Sequence, residues 1–75
     1  MQLIIERDSG AVTIDGRVHI IDMQSVSPEI TRVQWLDDTG TIYFRDGRVT
    51  GIGDIFRFKA VIDFWHEKQT EMRMR

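Results

Sequence analysis

The chain has 75 residues, 41% hydrophobic and 29% charged, with a formal net charge of −2 and no cysteine. That length suits one small domain. The acidic balance (sequence pI about 5.5) argues against generic nucleic-acid binding, which wants a basic surface, and the missing cysteines exclude disulfides, thiolate nucleophiles and cysteine metal sites.

The first elements read as strands. Residues 2–6 (QLIIE), 11–14 (AVTI) and 17–21 (RVHII) are separated by the turn cluster Arg7-Asp8-Ser9-Gly10 and by Asp15-Gly16. The four-residue loop pairs Ile5 with Val12 and Leu3 with Ile14, giving one apolar face. After Asp15-Gly16 a plain two-residue turn would send Val18 and Ile20 to the other face. A glycine bulge at Gly16 would return them to the core, and this is the expected arrangement. Residues 22–30 break the alternation, and Ser27-Pro28-Glu29 carries the serine cap and proline of a short helical or 3₁₀ turn.

A second meander spans residues 31–52, within which TRVQWLDDTGTIYFRDGRVT has the densest pattern. A four-residue loop at Asp37-Asp38-Thr39-Gly40 pairs Trp35 with Ile42 and Val33 with Phe44. A two-residue turn at Asp46-Gly47 pairs Phe44 with Val49 and sets Arg45 opposite Arg48. All five apolar residues then share a face, and the facing arginines require a carboxylate or solvent between them. Beyond Gly51 and Gly53, Asp54 caps a predicted helix over 54–69. Its stripe Ile55, Phe58, Val61, Ile62 and Trp65 faces the sheet, and the terminal TEMRMR is expected to fray.

These elements predict an α+β fold over 1–75: about six short antiparallel strands in two meanders (1–21 and 31–52), joined by 22–30, with one C-terminal helix on the sheet. The meanders either form separate layers around the helix or run on as one curved sheet.

Candidate sites are few. Phe56, Ala60 and Phe64 recur at i, i+4 and i+8, opposite the main stripe. Either the N-terminal meander covers them or they bind a protein partner or a second copy. A metal site would need His19 and His66 brought together with carboxylates; Asp63 and His66 share a helix face, yet no metal or cofactor is expected. Asp15, Asp37, Asp38, Asp46 and Asp54 are turn or cap residues, and Gly51-Ile52-Gly53-Asp54 lacks the rest of a phosphate loop. No catalytic residue is therefore assigned. No apolar run nears the roughly 20 residues of a membrane span, and the N-terminus lacks the basic and apolar regions of a signal peptide. The expectation is a cytoplasmic, non-enzymatic chain.

Val33-Gln34-Trp35, the acidic-glycine turn, the strand Ile42-Tyr43-Phe44, an Asp-Gly turn and a closing helix with Phe64-Trp65 carry a resemblance. The chain resembles small proteins encoded beside tail-fibre genes in tailed phages and prophages of Gram-negative bacteria, some labelled tail or tail-fibre assembly proteins. The resemblance covers most of 1–66 and implies a setting in phage morphogenesis, in the bacterial cytoplasm or in the virion, without functional residues to carry over. The alternatives are a homo-oligomeric structural protein, a small ligand-binding protein or a hydrolase.

Overall fold

A computed structural model describes residues 1–73. Six strands, β1 (Gln2–Glu6), β2 (Ala11–Ile14), β3 (Arg17–Ile20), β4 (Ile30–Leu36), β5 (Thr39–Phe44) and β6 (Val49–Ile52), precede a 3₁₀ turn (Phe56–Phe58) and helix α1 (Lys59–Arg73). The strands form one antiparallel sheet in the order β3-β2-β1-β4-β5-β6. β1 pairs with β4, so the two meanders run on into each other and no second layer wraps the helix. The fold is α+β.

The first hairpin follows from its loop. Gly10 takes the left-handed conformation (φ +77°), its N–H donates to the Glu6 carbonyl, and Ile5 pairs with Val12 and Leu3 with Ile14 as the pattern requires. A side chain at Gly10 would also press on the Ile21 carbonyl, 3.0 Å from an added Cβ.

The two Asp-Gly turns exchange the roles expected of them. Asp15 (φ +49°) and Gly16 (φ +85°) form the plain two-residue turn. Ile14 therefore pairs with Arg17 and Thr13 with Val18, and no bulge intervenes. Val18 and Ile20 consequently point outward, 57% and 66% exposed, which corrects the expected bulge. The inward positions fall to Arg17 and His19, and α1 makes them tenable. The Trp65 indole N–H donates to the Arg17 carbonyl (3.1 Å), and His19 Nε2 lies 2.8 Å from Gln69 Oε1.

At the second Asp-Gly, Gly47 (φ +93°) closes a three-residue loop: its N–H donates to the Phe44 carbonyl and the Phe44 N–H to that of Arg48. This added residue moves β6 by one, so Tyr43 rather than Phe44 pairs with Val49. Val49 is outward and 59% exposed, contrary to expectation, and Ile52 packs on the core instead. Arg45 and Arg48 do not face each other: Arg45 pairs with Asp8 and Arg48 with Asp46.

The loop between β4 and β5 is also shorter than expected. Asp37 adopts φ +58°, and Leu36 pairs with Thr39, Trp35 with Gly40 and Val33 with Ile42. The slip is two residues, which preserves the faces of Trp35 and Ile42. In this register the Trp35 ring lies so close over Gly40 that a Cβ there would stand 2.7 Å from it, which suits a glycine at that position. A register shift between Ile30 and Arg32 then turns Ile30 inward, leaving it 1% exposed. A bulge does this because an extra residue reverses side-chain alternation.

The core lies on one side of the sheet. Leu3, Ile5, Val12, Ile14, Val33, Trp35 and Ile42 meet Ile21, Met23 and Val26 of the connector and Phe58, Val61 and Trp65 of the helical segment. Burying each such aliphatic or aromatic side chain contributes roughly 1.5–3 kcal/mol. Both indole N–H groups are satisfied, Trp35 by the Asp37 carbonyl at 3.0 Å. The connector forms turns, closed by Val26 N–H on Met23 and Ile30 N–H on Ser27, rather than the expected helical piece.

The helical stripe forms as predicted, with Phe58, Val61 and Trp65 buried and Ile55 and Ile62 packed beside them. Asp54 is not the expected cap: the N-cap position falls on Ile55, which makes no side-chain capping bond, and Asp54 only accepts the Phe56 N–H in a local turn at 3.2 Å. The first turn is 3₁₀, and α1 continues past Gln69 to Arg73. The fraying expected over TEMRMR does not occur at 70–73, which remain helical, and Met74 and Arg75 lie outside the described residues.

Candidate interaction surfaces

Since the sheet passes beneath the helix and does not return over it, the outer side of the helical segment is uncovered. Phe56 is 80% exposed, Phe64 is 42% exposed and Ala60 is exposed between them. Their geometry differs from the expected ridge. A 3₁₀ turn advances about 120° per residue and an α-helix about 100°. The tight first turn therefore sets Phe56 about 40° further round from Ala60 than an unbroken α-helix would. Beside Phe64 lies a notch of about 200 Å³, lined by Ile21, Asp22, Phe64, Glu67, Lys68 and Glu71.

The histidines come closer together than their sequence positions suggest. His19 meets the Trp65 ring edge-on at 5.3 Å between centroids, and His66 meets it at 5.2 Å. Trp65 thus links the two side chains. Asp63 turns to Lys59 (2.7 Å), and no group of three metal-ligating side chains forms among the described residues.

The turn aspartates are engaged locally. Asp15 accepts the Gln2 N–H, Asp37 meets the N-terminal ammonium, and Asp46 accepts from the backbone and guanidinium of Arg48. Hydrogen bonds from the Arg48 backbone and side chain hold the Asp46 carboxyl below its ordinary range. Asp8 is lowered likewise, chiefly by its two hydrogen bonds from Arg45 at 2.7 and 3.1 Å. Arg45 also donates to the Pro28 carbonyl, so one side chain ties the β1–β2 loop and the connector to the end of β5. These contacts satisfy structural needs and do not converge on one cleft.

The sheet's outer face was not anticipated as a surface. Its rows follow from the registers: Ile20, Ala11, Glu6, Arg32, Tyr43 and Val49 in one, and Val18, Thr13, Ile4, Gln34, Thr41 and Gly51 in the next. Polar contacts occupy its centre, with Arg32 Nε 3.2 Å from Glu6 and Tyr43 Oη donating to Gln34. Apolar residues gather at the β3 side. The plain-turn register puts Val18 and Ile20 there, while their hydrophobicity by itself favours burial.

Among the described residues, no helix is long and apolar enough to cross a membrane. No family model matches the chain, and no curated protein or solved structure matches it at a significant level.

Proposed function

We propose that this chain is a non-enzymatic protein-interaction module of phage or prophage origin, acting in the assembly of a tail or tail fibre within the bacterial cytoplasm or as a minor virion component. The observation that carries the interaction reading is the uncovered helix side, where Phe56 and Phe64 stand exposed around Ala60. Two exposed phenylalanines on a chain of this size lose apolar contact with water when a partner docks. The phage setting is supported by the resemblance carried by Val33-Gln34-Trp35 and the Phe64-Trp65 helix.

The test is a double substitution, Phe56→Asp with Phe64→Asp. Neither side chain is in the buried core, so the variant is expected to keep its circular dichroism spectrum and melting transition. Co-expressed with the tail-fibre genes of the same phage, the wild-type chain is expected to co-purify a tail component that the variant loses. Retention of every such contact by the folded variant would eliminate this surface.

A further inference from the structure

We propose that Asp15-Gly16, the tip of the β2–β3 hairpin, is the chain's site of spontaneous isoaspartate formation, in which an aspartyl carboxyl condenses with the backbone nitrogen of the next residue. The site lies apart from the helix side and does not rest on the function proposed above.

The reaction needs two neighbouring groups. The nitrogen of the following residue attacks the side-chain carboxyl carbon. A C–N bond forms, a C–O bond breaks, and the carboxyl oxygen leaves as water with the amide proton and the acid proton. Water then opens the resulting five-membered cyclic imide at either carbonyl. One opening restores aspartate, and the other leaves the main chain running through Cβ as isoaspartate. No oxidant or cofactor takes part. Glycine is the most permissive second residue, because it has no Cβ beside the attacking nitrogen and its backbone turns freely. Of the eight aspartates, only Asp15 and Asp46 precede a glycine.

The fold treats these two sites differently. Both are exposed, and an added Cβ at either glycine would meet nothing within 4 Å, so space does not distinguish them. Hydrogen bonds do. At Asp46-Gly47 both reacting groups are occupied. The Gly47 N–H donates to the Phe44 carbonyl at 3.1 Å, and the carboxylate accepts the Arg48 backbone N–H at 3.0 Å and its guanidinium at 2.7 Å. A cation so placed favours the ionised carboxylate, which receives a nucleophile less readily than the acid does. At Asp15-Gly16 no cation is paired with the carboxyl. Its one donor is the Gln2 N–H, 2.8 Å from Oδ1, and the Gly16 N–H finds no acceptor among the described residues. The Asp15 N–H is held by the Gln2 carbonyl at 2.9 Å, so Asp15 is anchored on the side away from Gly16 while the attacking nitrogen is free.

The product bears on the strand that α1 holds. Isoaspartate adds one backbone atom to a two-residue turn, and the Ile14–Arg17 pair depends on that turn's length. The Arg17 carbonyl accepts the Trp65 indole N–H, and His19 meets Gln69 two residues further on. A lengthened turn therefore loosens β3 against the helix.

The test incubates the folded chain for weeks in mildly acidic buffer. Electron-transfer fragmentation of its peptides then distinguishes the two linkages, which have equal mass. Isoaspartate is expected to accumulate at Asp15 about tenfold faster than at Asp46, the factor that a hydrogen bond to a charged group carries. In urea, where the hydrogen bonds are lost, the ratio should fall close to one. Arg48→Gln is expected to speed the reaction at Asp46. Asp15→Glu, whose longer side chain cannot close the five-membered ring, is expected to remove the product at that position. The fraction modified at Asp15 should melt below the fresh chain, and equal melting would refute the link to α1. Equal rates at the two sites of the folded chain, or a faster rate at Asp46, overturn the proposal. So does a preference for Asp15 that persists unchanged in urea, since flanking sequence and not the fold would then cause it.

Discussion

Replacing Gly40 with alanine tests the packing of the sheet at its tightest point. An added Cβ would lie 2.6 Å from the Gln34 carbonyl oxygen and 2.7 Å from Trp35 Cε3. One neighbour is backbone in the β4–β5 ladder, and the other is the ring of a tryptophan only 6% exposed. Neither can swing aside like the tip of a flexible chain. Relief requires Trp35 to tilt off Gly40 or the ladder to open, and overpacking of this kind costs typically 1–3 kcal/mol; the backbone clash places it near about 3 kcal/mol. A chain of 75 residues has a total stability of about 4–11 kcal/mol. The loss is therefore a large fraction of the whole and corresponds to a fall in melting temperature of about 10–20 °C. Thermal unfolding followed by far-ultraviolet circular dichroism and tryptophan fluorescence measures it. The control is Gly51→Ala, whose Cβ would meet only the Gly40 carbonyl, at 3.9 Å, and which should shift stability by no more than about 1 kcal/mol. If Gly40→Ala melts no lower than Gly51→Ala, then Trp35 does not pack over Gly40 and the β4–β5 register is wrong.

Trp65→Phe removes the indole donor to Arg17 and leaves space against His19, and urea unfolding should show a loss of about 1.5–2.5 kcal/mol with an unchanged m-value. Gly16→Ala and Gly47→Ala meet no atom within 4 Å but retain φ of +85° and +93°, so each should cost about 1–2 kcal/mol through backbone strain alone. Asp8→Asn tests the tie to Arg45 through pH. Because the folded carboxyl is held below the ordinary 3.8, its stabilisation is present above that value and is lost as pH falls through the folded one. Wild type should therefore melt above the variant near pH 6, with the gap closing toward pH 2. A gap that persists or widens in acid contradicts this.

The sequence carried much of the architecture because several signals agreed within single segments. In the first hairpin a four-residue loop and the alternation of Leu3, Ile5, Val12 and Ile14 specify the same register. In the helix, the Phe58–Val61–Trp65 spacing specifies the buried stripe. The Asp-Gly turns were ambiguous for a physical reason. A two-residue turn and a three-residue loop with a bulge both need a left-handed glycine, so the dipeptide alone does not distinguish them. Downstream hydrophobicity then misled, since it placed Val18, Ile20 and Val49 inside. The deciding partners were distant in sequence: Trp65 and Gln69 make room for Arg17 and His19 on the inner side. Trp35 likewise packs over Gly40 in a register that loop length alone does not specify. The 3₁₀ start that separates Phe56 from Phe64 has no clear local signal, so the three candidate residues were legible but not their relative orientation.

The most direct test of the proposed function is a nuclear magnetic resonance titration of the isotope-labelled chain with the purified tail-fibre protein of the same phage. The account predicts shift changes centred on Phe56, Ala60 and Phe64, with the outer rows of the sheet unaffected. Saturating amounts of that protein that leave those three resonances unmoved would contradict it.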